Sequence, residues 1–166
     1  MIAIPDFDAA AAAWLAAIRA AHDPLQDRVG PHVTLAFPRA IADQAAFAAE
    51  LAAAAAATPA FAAAFDRLER MADPFQPKYA HLNVLLADAA SAPQFAALHR
   101  RLGHALADYR PHLTVARFGA VYCAKALQRQ IGASFGPPLS GRVTALELLR
   151  LEHGAIRPAA KFELAA

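Results

Sequence analysis

Pro31-His32-Val33-Thr34-Leu35-Ala36 and Pro111-His112-Leu113-Thr114-Val115-Ala116 are near copies of one another, 80 positions apart (112 − 32) in a chain of 166 residues. Each reads as a β-strand. Successive side chains on a strand point to opposite faces, so His and Thr at i and i+2 share one face while Val33/Leu35 and Leu113/Val115 line the other. Two His-Thr pairs can then meet in one cleft, and one half of the chain reads as a copy of the other.

The flanking sequence repeats in the same order. Ile2 to Pro5 reads as a short strand, and Asp6 or Asp8 can cap a helix through about His22 whose Trp14, Leu15 and Ile18 fall at helical spacing. The loop from Asp23 to Gly30 leads into the first His-Thr strand. A helix follows from about Ala42 to Ala57, stopped by Thr58-Pro59, and then a strand from Phe61 to Met71. Asp73-Pro74-Phe75-Gln76-Pro77 is a turn-rich hinge. Beyond it come a strand from Tyr79 to Leu86 and a helix from Ser91 or Ala92 to about Ala107, with Pro93 tolerated in its first turn. Then come the second His-Thr strand and a helix from about Val121 to Ile131. A loop containing Gly136-Pro137-Pro138 leads to a long strand near Val143 to Leu151 and a last strand near Lys161 to Leu164, with Gly154 in the connection. The expected fold is α+β and bilobal, a pseudo-twofold duplication. Each lobe carries an antiparallel sheet with helices on its outer face, and a central cleft lies between lobes of about residues 1–72 and 78–166. Each half is too short to be an independent domain, so the whole chain is expected to form one.

Composition narrows the functional classes. The chain is 58% hydrophobic, and much of that is alanine in runs such as Ala9 to Ala13 and Ala52 to Ala57, which favour helix. The net charge is +2 with no block of Lys and Arg, although the isoelectric point is near 9.0. That balance suits a small anion or a nucleic-acid end better than a long duplex, which demands many phosphate contacts. Cys123 is the only cysteine. It rules out an intramolecular disulfide, is compatible with a reducing compartment, and reads as a small packing residue near a helix start. Residues 1–6 lack the basic region of a signal peptide, and the alanine runs are too short and interrupted to span a bilayer. A cytoplasmic location with no membrane partner is expected.

Two His-x-Thr strands supply a particular chemistry. In-line displacement at a phosphodiester needs a base on the attacking oxygen, an acid on the leaving oxygen, and donors for the non-bridging oxygens where charge accumulates. Imidazole titrates near neutrality, so one ring can be neutral and the other protonated, and no metal is required in principle. Threonine hydroxyls held by a stiff β-branched side chain can donate to phosphoryl oxygens. A single His-x-Thr is the ordinary polar face of an alternating strand. Two copies in matching context point to a shared site.

The paired Pro-His-hydrophobic-Thr-hydrophobic strands, with this spacing and chain length, resemble the two-histidine (2H) phosphoesterase superfamily, the group of the bacterial 2′-5′ RNA ligase and RNA 2′,3′-cyclic phosphodiesterase proteins. The resemblance spans essentially the whole chain. It implies a bilobal α+β fold, chemistry without a metal or other cofactor, and cyclic phosphodiester substrates on RNA 3′ ends or small cyclic nucleotides. It further implies that His32 is the acid that protonates the leaving ribose oxygen and His112 the base that activates water, while Thr34 and Thr114 hold the phosphate. The residues alone allow the reverse polarity. A 2′-5′ RNA ligase activity belongs to the same resemblance, but there is no phosphate-binding Gly-x-x-x-x-Gly-Lys-Ser/Thr loop to support an ATP-driven ligase.

In that family the residue five after a motif histidine can touch the ligand; here these are Phe37 and Arg117. Strict alternation puts both on the face away from the histidines, so Arg117 reaches a phosphate or base only if a bulge or the strand end redirects it, and is otherwise a surface charge. Phe37 reads as core. Phe118 has the parity of the cleft and could stack on a base, or simply pack. His81-Leu82-Asn83 looks like a degenerate third motif, but it falls on a strand that corresponds to residues 2–5, so His81 reads as structural or cleft-lining. His99 and His104 are five apart on a helix, the wrong spacing for a metal pair, and His22 and His153 stand alone. A monomer is expected. The alternatives are a nucleotide or RNA-end binding module without turnover, and a phosphodiesterase for a non-RNA cyclic metabolite.

Overall fold

The computed structural model describes residues 1–37, 42–73, 77–103, 106, 108–134, 138–153 and 155–166. In chain order the elements are β1 (Ile2–Ala3), β2 (Asp6–Phe7), α1 (Ala9–His22), β3 (Val33–Thr34), α2 (Gln44–Ala56) and β4 (Phe61–Ala72). The second half adds β5 (His81–Ala87), α3 (Ala92–Arg101), β6 (His112–Phe118), α4 (Val121–Ser134), β7 (Leu139–Val143), β8 (Ala145–Glu152) and β9 (Ala155–Glu163). Asp8 caps α1 by accepting from the Ala11 amide at 2.8 Å, and Asp43 does the same for α2 from Ala46 at 2.9 Å. Each cap satisfies an orphan donor of the first turn, and this fixes where the alanine-rich helices begin.

Among the described residues nine strands are hydrogen-bonded in one order, β2-β7-β4-β5-β6-β3-β1-β8-β9, and every pairing between them is antiparallel. The sheet curls into a half-barrel, and the antiparallel sheets expected of the two lobes are its two halves, joined at the β6–β3 seam. The repeats and the halves do not coincide. The last strand of the first repeat, β4, pairs with β5 of the second, while β8 of the second pairs with β1 of the first.

One face of this sheet is covered by the helices. Val33, Leu35, Phe65, Leu85, Leu113, Val115 and Leu146 are buried there with Leu15 of α1, Leu51 of α2, and Phe95 and Leu98 of α3. A smaller cluster of Ala116, Leu127 and Ile131 seats α4. In the motif strands as far as Thr34 and Thr114 the buried side chains are those with the odd parity of Val33 and Leu113, so the even positions, the histidines and threonines, are left for the other face.

Several boundaries differ from expectation. The strand expected near Val143 to Leu151 is β8; β7 precedes it where a loop was expected, and β2 is a further additional strand pairing β7 across Asp6–Arg142 and Phe7–Gly141. Gly141 is required by that contact: a β-carbon there would stand 2.9 Å from the Asp6 carbonyl oxygen. The third helix stops at Arg101, and Gly103 takes the left-handed conformation (φ 76°) that closes helices. Most of the hinge (Pro74, Phe75, Gln76), His104, Gly136-Pro137 and Gly154 lie outside the described residues. Cys123 is half-buried in the first turn of α4. Among the described residues no helix is long and apolar enough to cross a membrane.

Candidate active site

The site is built on the seam between the motif strands. Val33 pairs with Leu113, and extending that antiparallel register by one residue each way sets His32 across from Thr114 and Thr34 across from His112. All four share the face opposite the helices. The two histidines then lie on one diagonal and the two threonines on the other, with diagonal β-carbons roughly 7–8 Å apart. A phosphorus atom centred on this square has an imidazole on each side along one diagonal and a hydroxyl on each side along the other.

Both rings are oriented by the same device. His32 Nδ1 donates to the carbonyl of Gly30 at 2.8 Å, and His112 Nδ1 donates to the carbonyl of Arg110 at 2.7 Å. A carbonyl can only accept, so the proton stays on Nδ1 and Nε2 is presented to the cleft. Burial lowers the pKa of both rings. His32 is lowered to about 4, by desolvation and then by the positive charges of Arg19 and Arg117, which outweigh its bond to Gly30. His112 is lowered by desolvation and by Arg110 and Arg117, with Asp73 acting in the opposite direction. Before an anion binds, the lowered pKa values leave both imidazoles neutral at pH 7.

Arg117 reaches this face through a bulge. Val84 pairs with Thr114 but Asn83 pairs with Ala116, so Val115 is an extra residue on β6 and parity reverses beyond it. Val115 and Ala116 both turn toward the helices and are fully buried, Arg117 joins the side of Thr114, and Phe118 goes to the packed side. Phe118 therefore lies against the α4 cluster and in tilted contact with the His22 ring at 6.1 Å, and the expectation that it could stack on a substrate base is corrected. His81, directly across from Phe118, also lies on the packed side. Phe37 is half-buried, at the edge of the described residues.

Beneath His32 lies an ion cluster that the sequence reading did not single out. Asp23, 2% exposed, accepts from Arg19 at 3.0 and 3.2 Å, from Arg117 at 2.7 Å and from the Leu25 amide at 3.1 Å. Arg19 also donates to the Val29 carbonyl at 2.8 Å, so the same cluster shapes the loop that ends in Gly30. Two guanidiniums and one carboxylate leave one positive charge beside the histidines, an asset for an anion. Arg117 Nε is buried with no hydrogen-bond partner among the described residues. The sequence did carry a signal: Ala11, Leu15 and Arg19 are the buried positions of α1, so Arg19 continues an apolar stripe at i+4 spacing, where an arginine needs a buried partner.

A second unforeseen support holds the first motif strand. Tyr109 donates to the Thr34 carbonyl at 2.8 Å, and His99 Nδ1 donates to the Leu35 carbonyl at 2.7 Å. Their rings are stacked 3.9 Å apart and within 2° of parallel. His99 is a buried positioning residue for the strand that carries Thr34. Among the described residues no three His, Cys, Asp or Glu side chains gather as a metal-binding set.

Comparisons with known proteins agree with this geometry. Solved structures similar to the chain include LigT of E. coli complexed with phosphate, at 21% identity and a TM-score of 0.56, with 99% of this chain and 96% of that one covered. A crystal structure described as a phosphoesterase matches at 20% identity and TM-score 0.57, covering 99% and 97%. TT0787 of Thermus thermophilus matches at 19% and 0.57, covering 99% and 98%. LigT has also been solved with 3′-AMP, ATP and NADP+. No curated protein matches. At these identities the structures establish the fold. The sequence profile of the 2′-5′ RNA ligase superfamily matches residues 7–155, and the chain belongs to that superfamily, whose members are two-histidine phosphoesterases.

Proposed function

We propose that the protein is a phosphodiesterase that opens 2′,3′-cyclic phosphates on RNA ends or nucleotides, with His32 and His112 as its acid–base pair. The observation that carries this reading is the crossed square of two histidines and two threonines on one sheet face. Thr34 and Thr114 donate to the non-bridging oxygens, and the positive charge of Arg19, Asp23 and Arg117 balances the phosphodiester anion. One imidazole takes a proton from the attacking water as its oxygen bonds to phosphorus. The other gives a proton to the ribose oxygen as the P–O bond breaks, so the pair leaves the cycle reversed in charge and resets through solvent. No proton has to come from a metal-bound water.

The acid needs a proton that the cleft disfavours before substrate arrives. A bound phosphodiester carries the negative charge that raises both imidazole pKa values toward neutrality, so substrate charges the site as it enters.

The test is incubation with 2′,3′-cyclic mononucleotides and a short RNA ending in a cyclic phosphate, in EDTA, with products resolved by phosphorus NMR. A single monoester isomer is expected and identifies the leaving oxygen. Binding without turnover overturns the catalytic reading in favour of a sensor, and no response to any of them excludes this substrate class.

A further inference from the structure

The sheet face that carries the square continues into a cavity of about 280 Å³. Its floor is Ile4, Leu149, Ile156 and Pro158, the loop 26–30 overhangs it, and Glu147 closes one side. The cavity and the square share a wall: Gly30 lines the cavity, and its carbonyl orients His32. They also share a row of the sheet. Thr34 pairs with Ile2, and Ile2 pairs with Glu147, which sets Glu147 two strand spacings, roughly 10 Å, from Thr34 on the same face. That is about the reach from a ribose phosphate to the outer edge of its own base.

Glu147 makes no hydrogen bond or ion pair among the described residues; its cross-strand neighbour Lys161 feels its charge but is bonded to Glu163 at 2.9 Å. The volume lies just below the ~300–1,000 Å³ typical of ligand sites, room for one flat ring system rather than a whole nucleotide. A carboxylate offers two parallel acceptors, and guanine alone among the bases presents two adjacent donors, N1–H and N2–H, on one edge. Adenine and cytosine place a ring nitrogen acceptor beside their amino donor, and uracil flanks its single N–H with carbonyls.

We propose that this cavity holds the guanine base of the nucleotide whose phosphate lies on the His-Thr square, with Glu147 accepting from its N1–H and N2–H. The assignment rests on the phosphodiester reading above and adds base selectivity to it. It is tested by calorimetric binding of 2′- and 3′-GMP against the adenosine, cytidine and uridine monophosphates, alongside kcat/KM on the four 2′,3′-cyclic nucleotides, for the wild-type protein and Glu147→Gln. The wild type is expected to favour guanosine by about 10- to 100-fold, the scale of a bidentate base contact, and Glu147→Gln to bring the four bases near parity. Turnover with no guanosine preference in the wild type overturns this inference and leaves the phosphodiesterase reading standing, whatever the variant's folding. A Glu147-dependent guanosine preference in binding, with no turnover of any cyclic phosphate, supports the cavity and overturns the hydrolytic reading. A guanosine preference unchanged in a folded Glu147→Gln protein also overturns the role of Glu147.

Discussion

At the scale of single residues, burial holds both histidine pKa values below the usual imidazole value, and both rings are aimed by a backbone carbonyl two positions back. Replacing either His32 or His112 by Ala should lower kcat/KM by about 10²–10⁴-fold, the usual weight of a general acid or base, with the circular dichroism spectrum unchanged. The wild-type profile should be bell-shaped, and the limb lost in each variant identifies which ring is the acid. His32 also couples stability to pH. Its pKa is about 4 folded and near 6.5 unfolded, so between those values the unfolded chain binds more protons. That contribution to stability is complete above pH 6.5 and is lost as pH falls toward 4. Urea midpoints at pH 7 and pH 5 should show the loss, and phosphate should restore more of it at pH 5 than it adds at pH 8.

At the scale of elements, the motif strands were legible because alternation and duplication are sequence-local, and the Asp8 cap was legible because capping needs only a short polar side chain before an alanine run. The bulge was not. It depends on a one-residue mismatch between β5 and β6, and neither strand encodes that alone. This single insertion turns Arg117 toward the histidines and Phe118 away from them, so simple alternation describes β6 as far as Thr114 and reverses beyond Val115. Strands β2 and β7 were missed because each is short and defined only by its partner. The Arg19–Asp23–Arg117 cluster unites a helix, a loop and a strand. Asp23→Asn should leave two guanidiniums without their counter-charge, costing about 3–5 kcal/mol as for a broken buried pair. Denaturant unfolding measures that cost. The rise in KM measures how far the loop and Arg117 lose their places.

At the scale of the whole molecule, each repeat completes the other's half of the sheet. Fragment 1–72 carries β1 and β3 without β8, and fragment 78–166 carries β5 and β6 without β4. Either fragment alone should show little ordered structure by NMR, while an equimolar mixture should regain dispersed signals together with the activity of the intact chain. A fragment that folds alone contradicts the exchange as a source of stability. The bilobal, duplicated character of the chain was readable from two hexapeptides, but which strand joins which half was not, because β4 and β8 are each plausible neighbours of their own repeat.

The exchange of β4 and β8 has a further consequence, for inheritance rather than for chemistry. A duplicated segment ordinarily leaves one copy at liberty to decay, since the other still does the work. Here neither copy is spare: losing one removes a strand from its sibling as well as a histidine from the square. Architecture thus binds two motifs 80 positions apart into a single unit, in which a change to either is felt by both.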